Sequence, residues 1–223
     1  MKDKLVEDEK LIGPNAVLQM LNALMALEKQ LKEPGLTSIL AHKAGVQDYL
    51  FNPPDSMAPL DDAVRLFAAV EKALPIDMVE ALFQKAGRLT GDYIIANRIP
   101  GFAKALFKIL PGFISARILA RAIEAHAWTF VGDGDMKVWA SSPICFVLSD
   151  CSLKSPGDLW HTAVFDCLYQ RLIGDRWVMQ ASLEPAGSGY EPYRVFTVNT
   201  VSKPIPLSER LMHAFRYHQS NRA

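Results

Sequence analysis

The sequence predicts an α+β protein, a helical N-terminal half followed by a mostly antiparallel sheet with one inserted helix. Three observations carry this. Apolar residues recur at helical spacing from about residue 15 to residue 126. Beyond His126 the period shortens to apolar–polar alternation, in short runs separated by Gly, Asp and Pro. One helical pattern, residues 159–173, then interrupts the strands.

The elements follow in order. Gly13-Pro14 opens the first helix, because proline lacks an N–H that would go unsatisfied in the first turn anyway. Val17, Leu18, Leu21, Leu24, Met25 and Leu27 form its apolar stripe, and Pro34-Gly35 ends it. A shorter helix covers 36–43, and Asn52-Pro53-Pro54-Asp55 is a loop. Asp61 opens a helix through Ala73. After Leu74-Pro75 the pattern restarts and runs to Arg98, stopped by Ile99-Pro100-Gly101. Two proline-punctuated helices follow, 102–109 and 112–126. Strands are expected at 128–131, 136–140 and 144–148, with Gly132-Asp133-Gly134 as a tight turn served by Asp133 and Asp135. Ser155-Pro156-Gly157-Asp158 starts the inserted helix. Strands at 176–183 and 193–198 flank a turn over 184–192, and a proline-marked linker leads to a terminal helix at 207–217. The division is a charged segment over 1–10, one domain over 11–200, and a linker with a C-terminal helix over 201–223.

Bulk composition excludes several function classes. Lys+Arg and Asp+Glu are both 24, so there is no cationic excess for nucleic acid. Three cysteines at unrelated spacings give no disulfide framework and fit a reducing, cytoplasmic setting. The first ten residues are charged and lack the apolar core of a signal peptide. No apolar run reaches the ~18–20 residues a membrane span needs. Phosphate-cradling and dinucleotide glycine motifs are missing, and Gly187-Ser188-Gly189 lies between strands, the wrong context. Cys145, Cys151 and Cys167 do not have iron–sulfur spacing; Cys145 and Cys151, which frame a strand, read as buried, inert thiols, with a metal pair as the other reading. A reductase would have to draw electrons from an external carrier.

Candidate residues have functional and structural readings side by side. His126 and Trp128, with Phe130 beyond, stand at the end of a helix. The pair can wall a pocket, with imidazole as a ligand, or can cap carbonyls and fill the core. Trp160-His161, with Phe165 and Tyr169 four residues apart, repeats the theme and reads equally as a packing face. Between Phe102 and Arg121 the apolar residues, Phe113 among them, are joined only by positive charge: Lys104, Lys108, Arg117 and Arg121. That pattern fits a basic amphipathic hairpin meeting a membrane or a ligand's carboxylates, or a core helix pair with a solvated basic face. Arg88, Tyr93 and Arg98 are candidates for the same rim.

Ile12-Gly13-Pro14-Asn15-Ala16-Val17, Ala86-Gly87-Arg88-Leu89-Thr90-Gly91-Asp92-Tyr93, Asn97-Arg98-Ile99-Pro100, His126-Ala127-Trp128-Thr129-Phe130 and Trp160-His161-Thr162-Ala163 resemble the BchJ-type family of bacteriochlorophyll-biosynthesis proteins. The resemblance runs from about Leu11 to Val198 and implies a four-vinyl-reductase-type domain. That fold is shared with Golgi tethering-complex subunits and the sensor domains of phenol-responsive activators, many of them dimers with an interior pocket. Many members hold zinc through a Cys, a Glu and two later Cys. Here Asp158, Gln180, Leu183 and Tyr193 fall at those positions, so a structural zinc is not expected and packing of Leu183 and Tyr193 is expected to replace it.

The resemblance implies a tetrapyrrole-binding carrier with no cofactor of its own. It would bind magnesium protoporphyrin or divinyl protochlorophyllide-type intermediates. Its partners would be the magnesium chelatase large subunit and the magnesium-protoporphyrin methyltransferase. His126 is then the first choice for axial ligand and His161 the second. Trp128, Phe130, Trp160 and Phe165 would line the pocket, and Arg88, Arg98, Lys104 or Arg117 would meet a carboxylate. A homodimer and peripheral contact with the photosynthetic membrane are further expectations. Two other readings stand beside this one. The first is a reductase of the pigment's 4-vinyl (8-vinyl) group. The second is a ligand-free interaction scaffold that uses the apolar stripe of the first helix.

Overall fold

The computed structural model describes residues 9–154, 156–184 and 193–201. The chain enters as a two-residue strand, β1 (Leu11–Ile12), paired antiparallel with β2 (Ala58–Pro59). Between them lie α1 (Asn15–Leu31), α2 (Leu36–Lys43) and a 3-10 turn at Gln47–Leu50. Four more helices follow: α3 (Leu60–Ala73), α4 (Ile76–Asn97), α5 (Gly101–Ile109) and α6 (Gly112–Ala125). The sheet comprises β3 (Asp135–Trp139), β4 (Ile144–Ser149), β5 (Trp177–Glu184) and β6 (Tyr193–Thr200), with α7 (Gly157–Leu172) inserted after β4. Its order is β3-β4-β6-β5, antiparallel throughout. The α+β architecture is therefore the one the change of period predicts.

The most extensive interface among the described elements joins α4 to α7. Gly87 and Gly91, one helical turn apart, permit it. A Cβ at Gly87 would sit 2.5 Å from the Trp160 carbonyl oxygen, and one at Gly91 would sit 2.7 Å from Cys167 Cβ. Removing side chains at that spacing lets the two backbones approach. The other side of α7 lies on the sheet. Phe165 stacks on Phe146 of β4 at 5.2 Å and meets Phe196 of β6 edge-on at 5.4 Å. α7 is thus sandwiched and buried nearly all round, with Trp160, His161, Phe165 and Tyr169 inside. Arg88 reaches from α4 to Asp166 (3.2 Å), whose other carboxylate oxygen accepts the Met179 N–H (3.2 Å). One ion pair so ties α4, α7 and β5.

Several expectations need correction. Residues 128–131 are not a strand: Ala127–Thr129 form a 3-10 turn. Thr129 there accepts the Gly13 N–H (2.8 Å), so the turn anchors the start of the chain instead of joining the sheet. Of the apolar stripe of α1, Val17, Leu21 and Leu24 are buried in the chain's own core where α1 lies on α4, whereas Leu18 and Leu27 are half-buried and Met25 is exposed. Arg121 is no open rim cation. It pairs with Glu124 (2.7 Å) and donates to the Val138 carbonyl (3.1 Å), while Glu124 accepts the Val138 N–H (2.8 Å). Together these side chains of α6 occupy the outer hydrogen-bonding edge of β3 at Val138, which would otherwise be open. The turn expected over 184–192, from residue 185 on, and the helix over 207–217 lie outside the described residues. No helix among the described residues is long and apolar enough to cross a membrane.

Candidate ligand-binding site

His126 closes α6. Its Nδ1 lies 2.8 Å from the Ala122 carbonyl oxygen, so Nδ1 carries the proton and Nε2 the lone pair in the neutral ring. The ring is exposed, and Trp128 beside it is 57% exposed. Phe130 turns inward and meets Phe165 at 5.7 Å. The helix-terminal capping predicted for His126 is present, and it leaves a ligating nitrogen on the surface.

His161 is the opposite case. It is fully buried, with Nδ1 2.9 Å from the Gly157 carbonyl and Nε2 2.8 Å from the Phe130 carbonyl. Two carbonyls favour a second ring proton, but burial among aromatic rings outweighs them and pushes the imidazole down to about 4. The neutral ring has one N–H, so one carbonyl faces a lone pair. Trp160 packs against this ring and Phe67, and its Nε1 has no acceptor in the structure. Trp160, His161 and Phe165 therefore fill space among the described residues instead of lining an open chamber.

The remaining candidates fall in three places. Arg88 is spent on Asp166. Phe113 and Arg117 are exposed on α6 and Lys104 is half-buried on α5. Tyr93 and Arg98, at the C-terminal end of α4, line a groove of about 400 Å³. Its other wall comes from Leu18, Leu21 and Met25 of α1, and Tyr49, Leu50 and Pro53 close its far side. The volume falls within the usual range for small-molecule pockets. Tyr49 donates its hydroxyl proton to Asp62, and burial with that carboxylate pushes the phenol up to about 12. Pro14 and Asn15 also line the groove and follow directly on Gly13, which is held to Thr129. His126 and Trp128 do not line the groove. The apolar stripe of α1 is legible in the sequence, but as a partner face and not as a groove wall, and the Pro53-Pro54 loop does not reveal where it folds back.

The four positions aligned with a zinc set do not fit a metal. Leu183 pairs with Arg194 and Gln180 with Thr197, so alternation puts Leu183 on one sheet face and Gln180 and Tyr193 on the other. The expectation that packing of Leu183 and Tyr193 replaces the zinc is not met as one cluster, since they lie on opposite sheet faces and Leu183 is half exposed. Asp158 sits on α7, where its side chain accepts the Leu159 N–H (3.0 Å). No cluster of three metal-ligating side chains occurs among the described residues. The cysteines are free thiols; Cys151 and Cys167 are buried, and burial with the Asp92 carboxylate pushes Cys167 up to about 12. Asp133 holds Ser152 through its N–H (2.9 Å) and hydroxyl (2.6 Å), and Lys10 at 3.1 Å. It ties the turn to the chain's start.

The architecture is that of an H-NOX-like α+β domain. A structure from work on heme distortion in the H-NOX family superposes with a TM-score of 0.50 over 87% of this chain and 97% of that chain, at 10% identity. That likeness is one of fold alone. Sequence relatives are nearer. The bacteriochlorophyll synthase 23 kDa chain of Rhodobacter capsulatus is 42% identical over 175 residues, 75% of this chain and 78% of the relative. Its counterpart from Cereibacter sphaeroides is 38% identical over 168 residues, 73% and 78% of the two chains. The chain belongs to the family of the bacteriochlorophyll synthase 23 kDa chain. No family model matches it.

Proposed function

We propose that this chain serves bacteriochlorophyll biosynthesis as a binding and carrier protein for a magnesium-tetrapyrrole intermediate, with the groove between α1 and α4 as its seat. Family membership places the role in that pathway. The observation that carries the binding reading is the groove itself, in which Leu18, Leu21 and Met25 of α1, interleaved with Asn15, Gln19 and Asn22, share the lining with Tyr93 and Arg98. A tetrapyrrole presents a flat apolar face and carboxylates, and Leu18, Leu21, Met25 and Arg98 match those features in turn. A groove open to solvent suits a ligand that is passed on.

His126 adds a further feature. Its Nε2 lone pair, on an exposed ring near Trp128 in sequence, suits axial ligation of the pigment's magnesium. The handover would run between the magnesium chelatase large subunit and the methyltransferase. Absorbance titration of the purified chain with magnesium protoporphyrin tests the reading. A saturable shift at micromolar protein is expected, and an unchanged spectrum sinks it. Incubation of divinyl protochlorophyllide with the chain and NADPH should leave the vinyl group intact; reduction would make the chain an enzyme.

A further inference from the structure

The α5–α6 hairpin carries an apolar face that remains exposed among the described residues. Phe102 is 78% exposed, Leu106 45%, Ile109 80% and Phe113 59%. Their positions follow i, i+4, i+7 and i+11, the spacing of a helical stripe, although Pro111 separates the two helices. In a core helix pair such a stripe points inward. Here Phe107, Leu119 and Ile123 take the inward positions and the stripe faces solvent.

The charge around it has one sign. No Asp or Glu stands between Asp92 and Glu124, whereas Lys104, Lys108, Arg117 and Arg121 do. Arg121 is engaged by Glu124. Among the described residues no carboxylate pairs with Lys104, Lys108 or Arg117. The whole chain has a net charge of zero, so this local excess of positive charge is balanced by acids elsewhere in the sequence.

We infer that the α5–α6 hairpin is a docking surface for an anionic lipid bilayer, lying in the plane of the headgroups with Phe102, Leu106, Ile109 and Phe113 inserted. Apolar side chains flanked by uncompensated cations have that complementarity. A second copy of the chain fits poorly, because a symmetric contact would set Lys108 and Arg117 against their own kind. The chain's own residues 202–223 fit poorly too, with Lys203, Arg210, Arg216 and Arg222 against Glu209. The inference goes beyond the pigment reading and uses none of the residues that line the groove.

Vesicle co-sedimentation of the full chain, without pigment, tests it. Binding is expected on phosphatidylglycerol–phosphatidylcholine vesicles, with little on pure phosphatidylcholine, and it should weaken with salt. Lys108→Gln with Arg117→Gln should lower partition about twenty-five-fold, roughly fivefold for each charge. Ile109→Ser, and independently Phe102→Ser, should lower it about tenfold. Both positions are exposed, and circular dichroism checks that the fold survives. No binding to the anionic vesicles, or binding indifferent to the charge variants, overturns the inference. So does a solution dimer that Ile109→Ser dissolves while vesicles stay unbound, which would make the hairpin a contact between copies. Failure here leaves the pigment titration unaffected.

Discussion

His126 and His161 differ in solvent access, and that difference sets what each can do. His161 lies between the Gly157 and Phe130 carbonyls inside the aromatic core and donates its one N–H to one of them. Replacing it with Ala opens a cavity and strips one carbonyl of its donor, so a loss of roughly 2–5 kcal/mol in urea unfolding is expected. Its titration fixes a pH dependence. The folded ring protonates near 4 and the unfolded one near 6.5, so the unfolded chain binds the extra proton between those values. This stabilisation, ~3 kcal/mol, is complete above about pH 6.5 and lost as pH falls toward 4. Denaturation midpoints at pH 7 and pH 5 should differ more in wild type than in His161→Gln; equal slopes would remove the assignment. Sequence could name both histidines but not sort them, because burial depends on which helix is sandwiched.

At the scale of elements, the α4–α7 crossing carries the helical layer onto the sheet. The Ala86-Gly87…Gly91 pattern that marks the family resemblance has a physical cause here, the close approach of two backbones. Gly91→Ala meets a cysteine side chain and should cost about 1–3 kcal/mol. Gly87→Ala meets a backbone carbonyl that cannot move aside, and should cost more. Thermal unfolding of the two variants checks the order, and equal, negligible shifts would mean the helices separate easily. Helix boundaries were legible because prolines 14, 34, 75, 100 and 111 punctuate them and apolar spacing is long and regular. The 3-10 turn at Ala127–Thr129 was not. A run of four residues has no period to read, and what holds it is Gly13, more than a hundred residues earlier. The outward stripe of α5–α6 was ambiguous for a related reason: periodicity reveals a face but not what it meets.

Across the whole molecule, one buried cluster runs from Ile12 to Val198 and joins the helical half to the sheet. The candidate residues do not converge on it as one chamber. Phe130, Trp160, His161 and Phe165 fill the core, Arg88 braces it, and Tyr93 and Arg98 line the groove at its edge. The groove that this last pair lines was not legible in the sequence, because its opposite wall comes from α1 and the 47–53 segment, distant in sequence. The central claim is that a magnesium tetrapyrrole occupies this groove. Titration of magnesium protoporphyrin into wild type, Arg98→Ala and Tyr93→Ala tests it most directly. Losing the guanidinium–carboxylate bond should weaken affinity about tenfold or more, and Tyr93→Ala should weaken it as well, with both variants folded as wild type. Wild-type affinity in both variants would place the pigment elsewhere and contradict the account.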